Sequence, residues 1–351
     1  MEREKTANIL FDWYKINQRD LPWRKTRDAY LIWVSEIILQ QTRIEQGTPY
    51  YLKFINRFPN VVDLANASIE DVLLVWQGLG YYSRARNMHF AANQVVNTFD
   101  SVFPTSYQNL IQLKGIGKYT AAAISSITSS EKHPTVDGNV IRFISRLYGI
   151  EESVDKLSTI NKIEKIASEL IENYDSGIQN QAMMEFGAMV CVPRNPICSD
   201  CIFVSFCKAF AMQKQSTIPI KQLKNKSIKR YFNYLYITDK NQRILIYQRT
   251  TLDIWQGLFE LPLIEKLNLS PIELSAFLGV DVLRIDSIPI IKHQLSHQQI
   301  HTMAWLLECS PSQFDKIAIS NNFLPINKND ISKFPISKLT DIVLSTISKF
   351  Q

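Results

Sequence analysis

The sequence predicts an all-α domain followed by an α+β domain. Three observations carry that prediction. Apolar residues recur at helical intervals through residues 1–215, broken by turn signals. Residues 216–230 then carry five basic side chains and no acidic one. Beyond Arg230 the texture changes to short runs rich in Tyr, Ile and Leu, which read as strands over residues 231–351. At 351 residues the chain is long enough for two cores. Its hydrophobic fraction of 46% and charged fraction of 21% are those of an ordinary soluble globular protein. No apolar run reaches membrane-spanning length, so no membrane partner is expected.

The helical periods run through Ile9–Ile16, Tyr30–Leu39, Val72–Trp76 and Ala121–Ile127. Leu21-Pro22, Gly78-Leu79-Gly80, Gly115-Ile116-Gly117 and Asp137-Gly138 punctuate them. Lys221, Lys224, Lys226, Lys229 and Arg230 make the stretch after them basic. It reads as a solvated linker or as a linker lying along a polyanion, and charge alone does not decide. Tyr231–Thr238 and Arg243–Arg249, separated by Asp239-Lys240-Asn241-Gln242, read as a strand hairpin. His301–Leu307 reads as a further strand, and Pro271–Leu278 and Leu339–Phe350 as helices. No internal repeat is visible.

Four of the five cysteines form the run Cys191-x6-Cys198-x2-Cys201-x5-Cys207. Nothing at the N-terminus reads as a signal peptide, so an intracellular setting is expected. There, clustered thiols more often bind metal than pair as disulfides. Thiolates suit both iron–sulfur clusters and zinc. Zinc sites usually pair two short knuckles, whereas only one interval here is short, which favours a cluster-binding loop. The fifth, Cys309, reads as a plain buried cysteine at a strand end.

This x6, x2, x5 spacing resembles the cluster loop of the endonuclease III and MutY family of DNA glycosylases. The resemblance implies a [4Fe–4S] cluster on Cys191, Cys198, Cys201 and Cys207. Other motifs extend it. In Leu113-Lys114-Gly115-Ile116-Gly117-Lys118, two glycines bracket one apolar residue ahead of a helical run. A helix start favours an anion, and in a nucleic-acid binder that anion is a phosphate. Beside the cysteine loop, the string resembles the family's helix-hairpin-helix, with Gly115, Gly117 and Lys118 facing DNA. In Val136-Asp137-Gly138-Asn139, an Asp before Gly is ordinarily a turn residue. The resemblance makes Asp137 the essential carboxylate and Asn139 its polar support.

Glu36 stands in the otherwise apolar stretch Trp33–Leu39. It is either on the helix's wet face or an acid whose pKa is raised by desolvation. The string Ser35-Glu36-x-x-Leu39-Gln40-Gln41-Thr42 resembles the MutY branch, where this Glu is the general acid. Gln40 and Gln41 then become helix-start residues facing DNA, with Gln41 the better candidate to insert beside the extruded base. In Gly80-Tyr81-Tyr82-Ser83-Arg84-Ala85-Arg86, aromatics followed by arginines read as core plus solvated face, or as a wedge with phosphate contacts. The family favours Tyr81 as the wedge and Arg84 at phosphate. By the same resemblance Arg24 and Gln181 lie at the adenine pocket, and Arg194 and Lys208 near phosphate. Lyases of the family carry an attacking lysine where this chain has Tyr119, so base release without strand cleavage is implied, with Tyr119 supporting the intermediate. Lys118, one residue away, keeps residual lyase activity open.

In the second domain, His293-Gln294-Leu295-Ser296-His297 is similar to the loop with which MutY relatives read 8-oxoguanine. They usually carry Phe where this chain has Leu295. Ser296 and His297 are the implied lesion contacts. The spacing of His293, His297 and His301 also suggests a metal site, which the strand texture opposes. Trp255–Pro262 resembles a Nudix-like domain, but the metal-binding Nudix helix is absent, so the domain is a reader rather than a pyrophosphatase.

Together these imply a bacterial, cytoplasmic and monomeric adenine DNA glycosylase acting on duplex DNA with adenine opposite 8-oxoguanine or guanine. The rival readings are an endonuclease III-like glycosylase and lyase for oxidised pyrimidines, a silent lesion-binding protein, and a Nudix hydrolase.

Overall fold

A computed structural model of the chain describes residues 2–222, 227–279 and 284–350. The chain forms two compact units, one of residues 1–66 and 90–224 and one of residues 67–89 and 225–351. Lys224 and Lys226 of the basic stretch lie outside the described residues.

The helices, in order, are α1 (Glu2–Asn17), α2 (Ala29–Leu39), α3 (Ile44–Arg57), α4 (Val61–Asn66), α5 (Ile69–Trp76), α6 (Ser83–Thr98), α7 (Tyr107–Leu110), α8 (Lys118–Ser129), α9 (Gly138–Tyr148), α10 (Leu157–Ile171), α11 (Ser176–Met189) and α12 (Lys208–Ala211). The expected periodic stretches fall inside α1, α2, α5 and α8. Asp28 caps α2 by accepting from the Leu31 N–H. Helix α2 buries Ile32, Trp33, Val34, Ile37 and Ile38, so it is apolar nearly all round and runs through the interior. One core of the first unit joins α1, α9, α10 and α11, with Phe143, Phe186 and Phe203 packed ring against ring. Phe203 belongs to the cysteine loop, so that loop is pinned by its own apolar side chain. Helices α7 and α8 and the turn between them form the helix-hairpin-helix. Gly115 takes φ +80 there, a left-handed conformation that a side chain would strain.

The second unit is built on a mixed sheet. Its strands are β1 (Ile228–Asp239), β2 (Arg243–Gln248), β3 (Phe259–Glu260), β4 (Leu263–Glu265), β5 (Arg284–Gln294), β6 (Gln298–Cys309) and β7 (Leu324–Asn327). The order is β3-β2-β1-β6-β5, with β4 beside β1 and β7 beside β2. β1 pairs antiparallel with β2, as the hairpin reading expects, and parallel with β6 in the register Ile228↔Gln298 to Asp239↔Cys309. Three helices follow in this unit, α13 (Pro271–Leu278), α14 (Pro311–Asn321) and α15 (Lys338–Phe350). Alternate β1 residues feed two cores. Leu235 and Ile237 pack with α13 and α14, whereas Tyr234 and Tyr236 pack with α15.

The last residues of the basic stretch are not linker. Lys229 and Arg230 lie in β1. Arg230 makes a bidentate pair with Glu265 at 2.6 and 2.7 Å and a further bond to Asp253 at 3.0 Å. That guanidinium is committed to carboxylates within the unit. Among the described residues no helix is long and apolar enough to cross a membrane.

Candidate active site

The first unit holds a pocket of about 400 Å³ lined by Arg24, Glu36, Tyr119, Asp137, Asn139 and Gln181, together with Arg19, Met184 and Glu185. Five elements converge there. The turn at Pro22–Arg24 brings Arg24, the C-terminal half of α2 brings Glu36, and the start of α8 brings Tyr119. The start of α9 brings Asp137 and Asn139, and α11 brings Gln181, Met184 and Glu185. Residues as far apart in the sequence as Arg19 and Glu185, 166 positions, thus face one space.

Glu36 and Tyr119 line the pocket together, and the Tyr119 hydroxyl favours the ionised Glu36 carboxyl. Burial pushes the Glu36 carboxyl up to about 7, and the negative charge of Asp137 adds to the rise, against the Tyr119 hydroxyl and the Arg24 charge. The Tyr119 hydroxyl also lies 3.2 Å from Met184 Sδ. Burial and the neighbouring carboxylates push Tyr119 well above the ordinary phenol range, so it stays a donor.

Asp137 is the N-cap of α9. Its Oδ1 accepts from the backbone N–H groups of Asn139 and Val140 at 2.9 and 2.8 Å, and its Oδ2 accepts from Asn139 Nδ2 at 2.7 Å. Burial raises its pKa, and those three bonds, with Arg142, oppose the rise. A helix N-terminus favours the ionised form. Asn139 is itself held, its Oδ1 accepting from Arg142 Nη2 at 2.9 Å. Arg142 Nε donates to the carbonyl of Cys191 at 2.6 Å, so the support of Asp137 runs on into the cysteine loop. A Cβ on Gly187 would lie 2.6 Å from the Asn139 carbonyl oxygen, so only glycine lets α11 approach α9 this closely.

The polar wall includes a network the sequence reading missed. Glu185 is almost fully buried, and Arg19 and Arg24 both grip it with two nitrogens at 2.6–2.9 Å. Burial alone would raise its pKa; the bonds from Arg19 and Arg24 outweigh that and hold it down to about 2. Arg24 is therefore at the pocket, as expected, but locked to a carboxylate. The only signal for Arg19 was an acidic residue inside the apolar α11, which needs a cationic partner from elsewhere. Gln181 lines the pocket with its Oε1 accepting from the Tyr14 hydroxyl at 2.7 Å.

Other expected residues lie apart. Gln40 is the C-cap of α2, with Nε2 at 3.4 Å from Thr120 Oγ1, and Gln41 is exposed in the following turn at φ +57. They end a helix rather than start one, because α2 stops at Leu39 and α3 begins at Ile44. Gly117 is the N-cap of α8 and Lys118 its exposed first residue. Tyr119 lines the Glu36 pocket and Lys118 does not. Arg194 and Lys208 are exposed on the cysteine loop and at the start of α12.

The second unit has its own cavity, of about 520 Å³, lined by Tyr81, Trp255, His293, Leu295, Ser296 and His297 among others. Tyr81 is exposed at φ +48, which suits a side chain presented to a partner. Ser296 Oγ and His297 Nδ1 lie 3.1 Å apart at the exposed turn between β5 and β6. Arg84 corrects the sequence reading. It is buried, with its guanidinium over the Trp76 ring and donating to the Gly80 carbonyl at 3.2 Å, because Trp76 offers it an aromatic face. It shapes the Tyr81 turn rather than reaching for phosphate. His301 stacks on Tyr231, and His293 lies against Trp255.

Cys191, Cys198, Cys201 and Cys207 are half-buried free thiols. Burial pushes Cys201 up to about 11, and the other three cysteines contribute through their charges, so the four are electrostatically coupled. Arg146 Nη1 lies 3.5 Å from Cys191 Sγ. Among the described residues no group of three or more His, Cys, Asp or Glu closes on a point where one metal ion could be held.

Residues 34–172 match the HhH-GPD superfamily of base excision DNA repair proteins, and residues 233–346 match the NUDIX domain. The adenine DNA glycosylase of Buchnera aphidicola subsp. Schizaphis graminum is 33% identical over 309 residues, covering 87% of this chain and 88% of that protein. The adenine DNA glycosylase of Mus musculus is 41% identical over 212 residues, covering 57% of this chain and 41% of that one. Among solved structures, a thermostable thymine-DNA glycosylase aligns with a TM-score of 0.56 at 27% identity, covering 60% of this chain and 97% of its own. A trapped endonuclease III–DNA covalent intermediate shares the fold, with a TM-score of 0.52 at 18% identity over 59% of this chain and 94% of that one. The helical glycosylase domain and the Nudix-like domain expected from the sequence are both present.

Proposed function

The chain belongs to the adenine DNA glycosylase family, and from that premise we propose which side chains release the base and how. It is a DNA glycosylase of base excision repair that removes adenine from DNA. The observation that carries the mechanism is a pair of carboxyls, Glu36 and Asp137, lining one pocket in unlike settings.

Glu36 is the general acid. A carboxyl with a pKa of about 7 holds a proton at neutrality and gives it to the purine ring as the N-glycosidic bond breaks. Adenine then leaves as the neutral base. Asp137, whose ionised form its three hydrogen bonds and the α9 N-terminus favour against burial, faces the positive charge that develops on the sugar. The resulting Glu36 carboxylate orients the water and takes its proton as the oxygen adds to the sugar carbon, which restores the acid, and Tyr119 lines the pocket beside it. Reaching a base in a duplex requires extruding it, and the pocket's polar wall of Arg24, Glu185 and Gln181 receives it. With no lysine lining the pocket among the described residues, the enzyme releases the base and does not cut the strand.

The second unit's cavity reads the base opposite, an 8-oxoguanine, through Ser296 and His297; support comes from their paired, exposed hydrogen-bonding atoms. Cys191, Cys198, Cys201 and Cys207 would hold a [4Fe–4S] cluster. Four half-buried thiols in one short loop, with the Arg146 guanidinium 3.5 Å from Cys191 Sγ, suit an anionic, thiolate-bound group. Bound there, it would supply charge and rigidity to the loop.

Labelled duplexes with adenine opposite 8-oxoguanine, or with thymine glycol, test the reading, each analysed with and without hot alkali. Breaks at adenine that need alkali are expected. Strand cleavage at thymine glycol without alkali would assign the protein to the lyase branch.

A further inference from the structure

The cavity of the second unit pairs its polar edge, Ser296 and His297, with an aromatic surface that comes from another part of the chain. The β5–β6 turn contributes only the aliphatic Leu295 beside them. The indole of Trp255 lines the same cavity from the loop that precedes β3.

The placement of Trp255 is imposed. Its φ is +60, a left-handed conformation that a bulky residue keeps only when its surroundings over-determine it. The loop around it supplies that constraint. Arg249 donates to Asp253 Oδ2 at 3.0 Å, and Asp253 Oδ1 accepts from the Ile254 N–H at 2.7 Å. The Gly257 N–H donates to the Arg249 carbonyl at 2.7 Å, and Arg86 donates to the Gln256 carbonyl at 2.6 Å. Arg249 is itself anchored in the core on Glu260 at 2.6 Å. A buried ion pair and a strained backbone thus hold a partly buried indole at the edge of the core, where it also lines the cavity. Its ring meets Phe232 at 6.4 Å and His293 at 6.1 Å between centroids, and it still lines open space.

We propose that Trp255 is the stacking surface against which this cavity takes the oxidised purine opposite the target adenine. The proposal rests on the reading of the cavity given above. Aromatic faces bind bases by stacking, while hydroxyl and imidazole groups read base edges. Trp255 supplies the plane, and Ser296 and His297 the edge contacts.

The test measures binding of full-length protein to duplexes that carry a non-cleavable fluorinated deoxyadenosine. The position opposite holds 8-oxoguanine, guanine or an abasic-site analogue. Wild type is compared with Trp255→Ala, Trp255→Phe and Ser296→Ala. The advantage of 8-oxoguanine over the abasic analogue is expected to fall about tenfold in Trp255→Ala and to recover largely in Trp255→Phe. A purely structural role would weaken all three duplexes alike and leave that ratio unmoved, which overturns the proposal. An unchanged ratio in Trp255→Ala, with a reduced preference for 8-oxoguanine over guanine in Ser296→Ala, overturns the role of Trp255 alone. An unchanged preference in every variant overturns the cavity reading as well.

Discussion

Asn139 donates to Asp137 twice, through its backbone N–H at 2.9 Å and its side-chain amide at 2.7 Å. The first bond belongs to the helix cap and survives any substitution that keeps the backbone. The second is specific to the side chain, and Arg142 orients it by donating to Asn139 Oδ1.

Replacing Asn139 by Ala therefore removes one charge-assisted bond from Asp137 and leaves the cap. Such a bond contributes about 1.5–3 kcal/mol, so single-turnover base release should fall about ten- to a hundredfold. The acid limb of the pH–rate profile should move up, because the ionised carboxylate loses a donor. A profile with an unmoved acid limb would contradict this role.

The basic limb belongs to Glu36. The acid must be protonated to work, so base release should fall as pH rises through about 7, by tenfold per unit beyond it. Single-turnover rates between pH 5.5 and 9, roughly the span over which the carboxyl titrates, measure this. Replacing Tyr119 by Phe removes a hydroxyl that lowers the Glu36 pKa, so the limb should move upward.

Glu185 works through stability. Its folded pKa of about 2 lies below the ordinary carboxylate value, so its contribution is full above that ordinary value. The contribution is lost as pH falls towards 2. Glu185→Gln leaves Arg19 and Arg24 without their carboxylate, and unfolding stability at neutral pH should drop by about 3 kcal/mol. Denaturant titration at pH 7 and pH 3 checks both statements, the variant's deficit shrinking at the lower pH.

Substituting Cys201 by Ser should lower bound iron and inorganic sulfide together and lower the melting temperature. Asp137 support should weaken too, since Arg142 bridges Asn139 to the Cys191 carbonyl. Metal analysis beside base-release rates measures this, and a variant with full iron content would contradict the ligand set.

Much of the pocket was legible through the family resemblance. The local strings alone left Glu36 between a wet face and a desolvated acid, and left Asp137 an ordinary turn residue. What was not legible depends on distant partners. Arg19 meets Glu185 across 166 positions, and no local pattern pairs them. The parallel pairing of β1 with β6 joins segments about seventy residues apart. Arg84 was placed at phosphate by the family resemblance, whereas Trp76, at the end of the preceding helix, offers it a buried aromatic face. The grouping of residues 67–89 with the sheet likewise follows from tertiary packing and not from composition.

The central claim is that Glu36 is the proton donor, and Glu36→Gln tests it most directly. The substitution keeps shape and hydrogen bonding but cannot deliver a proton. It also removes a buried acid whose raised pKa costs stability as pH rises from the ordinary carboxylate value to about 7. The account predicts that Glu36→Gln binds an adenine-containing duplex as wild type does, releases no adenine in single turnover at pH 7.5, and melts higher than wild type there. Adenine release at the wild-type rate would contradict it.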